Sequence, residues 1–245
     1  KVYLTNSWGG QRRKGAHWAG DLPQEEVERD VESLITRVLD NGWDLSPDKT
    51  KILMLTNKVL AEKQGYGNIA KNFAYSESYL KKENSYIEFF LETIEPICEA
   101  FQSGKHGLMF SIINQGGLPK KFAQSKSEKI AWSREISEFI AKRNTITIGD
   151  AIKLLNQNRF LTLPYTISVI EEEIESLSIA EEIPPKLKEI TGLKAINYRE
   201  IIALKKYVDD KTPFSTKHGV KGAEFENVLA VLGRGWNAYD WNKML

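Results

Sequence analysis

The sequence predicts an α/β fold in which a parallel-sheet domain is interrupted by a mostly helical inserted subdomain. Three observations lead there. A helix-periodic stretch through Val27, Val31, Leu34, Ile35, Val38 and Leu39 runs into the continuous apolar run Lys51-Ile-Leu-Met-Leu-Thr56. An apolar run of strand length suits a strand covered on both faces, as in a parallel sheet. From about residue 58 to 208 the periodic segments are almost all helical, and strand character returns in Phe225 to Leu232. The order is strand-containing, helical, strand-containing. It is met most simply by one domain made of 1–57 and 214–245, carrying an insertion over 58–213. Insertions are tolerated at exposed loops when the ends of the inserted unit lie close together.

Taken in order, Val2-Tyr3-Leu4 is a short β-like run, followed by a Gly-rich basic stretch with Arg12, Arg13 and Lys14. Pro23 precedes the first helix, Glu25 and Glu26 favour the dipole of its first turn, and Asn41-Gly42 stops it. A Ser-Pro-Asp turn leads into the apolar run at Lys51. Helical periodicity then predicts helices over 85–103, 126–142, 147–157, 166–181 and 197–208. Gly104, Gly116-Gly117, Asn144, Pro164, Pro184-Pro185 and Gly192 are read as the turns between them. The last apolar run, Val228-Leu-Ala-Val-Leu232, reads as a second buried strand.

Bulk properties bound the function. The chain has 245 residues, 41% hydrophobic and 27% charged, an ordinary globular balance. A net charge of +1 provides no global field for a polyanion, so any nucleic-acid contact must rest on a local patch. The single cysteine, Cys98, excludes an internal disulfide and fits a reducing cytoplasm; in its apolar helical run it reads as core filler. No apolar run is long enough to span a membrane, and no signal-peptide pattern opens the chain. The chain opens at Lys1 and stops at Met244-Leu245 without a closing element, which suggests a piece of a longer protein.

The stretch that carries chemistry is Ser215-Thr-Lys-His-Gly-Val-Lys-Gly-Ala-Glu-Phe-Glu-Asn-Val-Leu229. Thr216, Lys217, His218 and Lys221 place donors near turns that Gly219 and Gly222 permit, an array suited to phosphate oxygens. Glu224, just before a strand, offers an acceptor suited to a ribose hydroxyl. The same composition also suits a plain polar loop.

The stretch resembles motif V of the UvrD/Rep-type superfamily 1 DNA helicases, Thr-x-His-x-x-Lys-Gly-x-Glu-Phe followed by an apolar strand. Thr216, His218, Lys221, Gly222, Glu224 and Phe225 fill those places in register, and Ala223 stands where Leu is common. Ile52-Leu-Met-Leu-Thr-Asn57 is similar to the family's strand ending in an Arg-Ser/Thr-Asn turn; Leu55 replaces the Arg and takes away a phosphate contact there. The resemblance implies a second RecA-like motor domain split by a helical subdomain. It also implies single-stranded DNA contacts from Thr216, His218, Thr56 and Asn57, and nucleotide contacts from Gly222 and Glu224, with Glu224 on the ribose. Lys221 would steady either the loop or a phosphate, and is counted with the DNA-binding residues. The parent protein would be an ATP- and Mg²⁺-dependent 3′ to 5′ helicase that also needs its first RecA-like domain.

No Gly-x-x-x-x-Gly-Lys-Ser/Thr loop occurs, and no arginine-finger motif follows the last strand, so the chain alone is expected not to hydrolyse ATP. His17 and His106 read as loop residues, without a second ligand at metal spacing. Trp8 and Trp18 around the basic Arg12–Lys14 stretch form either a stacking surface for single strands or a partly buried loop. Trp236 and Trp241 are candidates for packing against further chain. Two other functions remain open: a degenerate helicase-like scaffold in a repair or defence complex, and a nucleotide-binding enzyme with its cofactor loop at Ser7-Trp-Gly-Gly10. The second lacks a dinucleotide fingerprint.

Overall fold

The computed structural model describes residue 11 and residues 24–54, 57–116, 125–157, 161–177, 184–216, 220 and 222–231. Val2–Leu4, Ser7–Gly10, Trp8, Arg12, Arg13, Lys14, His17, Trp18, Trp236 and Trp241 lie outside them. The chain divides into two compact units, one of 1–60 with 210–245 and one of 61–209. Among the described residues the architecture is mixed α/β, mostly helical, with one small parallel sheet.

The first unit begins with helix α1 (Gln24–Asp40), which buries Val31 and Val38 and leaves Leu39 about half exposed, on the water side of the predicted stripe. Gly42 ends it in the left-handed region at φ +82°, its amide donating to Leu39 O at 2.8 Å while that of Trp43 reaches Val38 O. A residue with a Cβ would be strained there, which is why Gly is favoured just past a helix. Asp44 then accepts from the Ser46 amide at 2.9 Å and pairs with Lys49 at 3.0 Å, closing the turn into strand β1 (Thr50–Met54).

Strands β2 (Phe214–Thr216) and β3 (Asn227–Val231) flank β1, both parallel to it, in the order β2-β1-β3. Met54 registers with Thr216 on one side and with Val231 on the other. Thr50, Ile52 and Met54 are buried, and so is Lys51 on the opposite face, so the expected covering of both faces of β1 is seen. β3 departs from expectation. Leu229 is buried, whereas Val228 is 49% exposed and Ala230 is exposed too. An edge strand with one open face gives this alternation, and an unbroken apolar run does not disclose it.

Helix α2 (Asn57–Gln64) carries the chain into the second unit. There follow α3 (Gly67–Asn72), α4 (Glu77–Leu80) and α5 (Ser85–Phe89), the last capped by the Asn84 side chain on the amides of Tyr86 and Ile87. One π turn, Phe90–Ile94, joins α5 to α6 (Glu95–Gln102). Then come α7 (His106–Gln115), α8 (Lys126–Lys142), α9 (Ile148–Gln157), α10 (Tyr165–Ser176), α11 (Pro185–Ala195) and α12 (Arg199–Val208). His106 therefore opens a helix instead of sitting in a loop, its ring edge-on to Phe101 at 5.9 Å. Gly192, read as a turn, lies inside α11; a Cβ there would meet Asn72 Oδ1 at 2.1 Å, so the glycine permits close approach to α3. The core of this unit is continuous, from Ala61 and Tyr66 through Phe90, Trp132, Ile152 and Ile167 to Leu204. No helix among the described residues is long and apolar enough to cross a membrane.

Candidate nucleic-acid and nucleotide site

The register of the sheet decides where the motif residues go. Thr216 ends β2 level with Met54, so it stands at the carboxyl end of the strands. Asn57 starts α2 three residues beyond that end of β1. Ligand sites of open parallel sheets gather at this end. Thr56, His218 and Lys221 lie outside the described residues, as does the side chain of Thr216.

Gly222 and Glu224 belong to the return segment. Asn227 registers with Thr50, and its amide donates to Lys49 O at 3.0 Å. Phe225 lies over Lys51, second residue of β1. Four strand rises separate the levels of Thr50 and Met54, about 13 Å. Thr216 is therefore at one end of the sheet, while the Glu224–Phe225 segment approaches the other. Gly222 has φ +85° and open space where a Cβ would stand, so its requirement is conformational and not one of tight packing. A turn closed by the Ala223 amide on Val220 O at 3.1 Å holds it. Glu224 is exposed, and among the described residues no side chain pairs with it.

These features suit one part of a nucleotide. An exposed carboxylate at Glu224 can accept from a ribose hydroxyl, and the turn at Gly222 presents backbone beside it. The triphosphate and its Mg²⁺ have no such match, because the phosphate-cradling loop is missing from the sequence.

Sequence reasoning missed Lys51. Its side chain is 1% exposed, with Nζ 2.5 Å from Asp210 Oδ1, 3.5 Å from Thr212 O and 5.4 Å from the centre of the Phe225 ring. A lysine opening an apolar run looks like an edge residue, and its nearest partner in sequence, Asp210, lies 159 residues away.

The second unit holds its own polar centre. Arg143 donates to both oxygens of Glu95 at 3.0 and 2.9 Å, and Tyr198 OH donates to Glu95 Oε1 at 2.9 Å. Phe90 and Phe139 flank the Tyr198 ring edge-on at 5.1 and 5.6 Å. Burial raises the Glu95 carboxyl above its ordinary range against the pull of Arg143 and pushes Tyr198 well up; it also pushes the Cys98 thiol up to about 12. Sealed from water, these groups brace helices and leave Cys98 an inert filler. An open groove of about 450 Å³ lies between α3 and the α11–α12 region, bordered by Lys71, Asn72, Asn197 and Arg199. Glu200 beside it is already committed to the start of α3, accepting from the amides of Asn68 and Ile69 at 2.9 and 3.1 Å.

Compared with protein-family models, curated proteins and solved structures, the chain finds no match.

Proposed function

We propose that this chain supplies part of the second, RecA-like motor domain of a UvrD/Rep-type 3′ to 5′ DNA helicase, contributing to its single-strand track and nucleotide cleft. One observation carries the reading: Thr216, His218, Lys221, Gly222, Glu224 and Phe225 stand at the motif's spacing in the connection between two parallel strands. In this reading Thr216, His218, Lys221, Thr56 and Asn57 meet DNA, while Gly222 and Glu224 meet the nucleotide. ATP supplies closure of the two motor domains in the parent protein, and this chain's share is to bind and orient. The first RecA-like domain and Mg²⁺ belong to the parent.

The test is fluorescence anisotropy of a labelled single-stranded oligonucleotide titrated with the chain at several salt concentrations. The expected outcome is weak binding, with log affinity falling by about 0.7 per phosphate contact for each tenfold rise in salt. Thr216→Ala/His218→Ala, shown to be folded by circular dichroism, should lose it. Binding that survives the double substitution places the DNA surface elsewhere, with Arg12 and Arg13 the next candidates, and removes the motif assignment. Absence of binding favours the alternative of a helicase-like scaffold that acts through its helical unit.

A further inference from the structure

Among the described residues Lys51 is the most deeply buried charge of the sheet unit, and its surroundings are peculiar. The register puts Lys51, Val228, Leu53 and Ala230 on one face of the sheet, and Val228 and Ala230 of that face are exposed. Lys51 is nonetheless covered, by Phe225 and by the segment at Asp210 and Thr212. A buried ammonium is costly unless paired. Here its compensation comes from two directions: a carboxylate on one chain segment and the face of a ring on another, within the roughly 6 Å at which such a ring attracts a cation. Asp210 is the first residue of the sheet unit after the chain leaves the helical unit, and it holds a left-handed φ of +56°. Phe225 follows Glu224 directly in the motif segment.

We propose that Lys51 is a positioning residue that latches the return strap Asp210–Thr212 and the motif segment Gly222–Phe225 to the same point of β1, so that a change in either is felt by the other. The coupling follows from shared compensation. When Asp210 lets go, the ammonium must turn toward water, and it then leaves the ring of Phe225. When Phe225 lifts, water reaches the ion pair and screens it. Where the motif segment serves DNA and nucleotide, a part that rests on the helicase reading, the latch reports occupancy at the point where the chain re-enters the sheet unit.

The experiment is hydrogen–deuterium exchange of the full chain without ligand, followed separately in peptides covering 209–214 and 220–227. Asp210→Asn alters a largely exposed side chain and leaves the sheet core intact, so it should fold. It is expected to speed exchange several-fold in both peptides, although it touches only the first. Lys51→Met should do the same, and Lys51→Arg, which keeps a cation able to pair and to lie on a ring, should restore both. Acceleration confined to 209–214 in Asp210→Asn overturns the latch, as does a failure of Lys51→Arg to rescue what Lys51→Met loses. Because no DNA is present, the latch can fail or hold whatever the oligonucleotide titration gives.

Discussion

Asp44 shows what one side chain can set at the surface. The Ser46 amide and the Lys49 ammonium hold its carboxyl down at about 2, below the ordinary 3.8. A carboxyl depressed by folding adds stability that is fully present above its unfolded value and is lost as pH falls through the folded one. Between pH 3.8 and about 2 the protein should therefore lose more stability than Asp44→Asn does, read as the shift of the urea midpoint with pH. Equal acid limbs in the two proteins would rule this out. The Asx turn behind this effect is visible in Asp44-Leu-Ser-Pro, because an Asp two residues before a free amide is a local pattern. Glu95, Arg143 and Tyr198 offer no local pattern: Glu95 opens α6, Arg143 follows α8 and Tyr198 precedes α12, with Arg143 48 and Tyr198 103 residues from Glu95. Lys51 hides for the same reason.

Among the elements, those with a long apolar stripe could be read directly. The predicted helix over 126–142 coincides with α8, and 85–103 nearly coincides with α5, the π turn and α6. Helices α3 and α4 span 6 and 4 residues, too short to be stable or to show a period alone; Tyr66, Ile69, Phe73 and Tyr79 hold them by packing. Pro184-Pro185 stands between α10 and α11, as expected of a break between helices, and Pro185 also opens α11, where its missing N–H costs nothing. At the start of α8, Ser125 accepts from the Glu128 amide at 3.2 Å and Glu128 reaches back to the Ser125 amide at 3.0 Å. Ser125→Ala should thus cost about 1 kcal/mol, measured by chemical denaturation. A cost within error of zero would show that Trp132, Ile136 and Phe139 alone fix that helix end.

For the whole molecule, the strand-containing and helical character of the two stretches was legible, since a switch from strand-like runs to helical periodicity needs no tertiary information. The candidate site was legible only as a motif. Its spread toward both ends of the sheet follows from register, and register depends on partners far away in sequence. The second unit, 61–209, is one continuous stretch of chain with its own core. Expressed alone, it should keep a helical circular-dichroism spectrum and a sigmoidal thermal transition. A gradual, non-cooperative melt would show that it needs the sheet unit.

The position of the helical unit between β1 and β2 also has a consequence during synthesis. The ribosome makes β1, then the whole of 61–209, and only afterwards the flanking strands. Lys51 and Asp210 stand 159 residues apart, which at 5–20 residues per second is a wait of roughly 10–30 s. Throughout that interval Ile52-Leu-Met54 lacks both of the strands that flank it among the described residues. Prior folding of the helical unit shortens the loop that must close, but does not shorten the wait. The nascent chain therefore carries an apolar strand exposed to chaperones and to other nascent chains until β2 and β3 emerge.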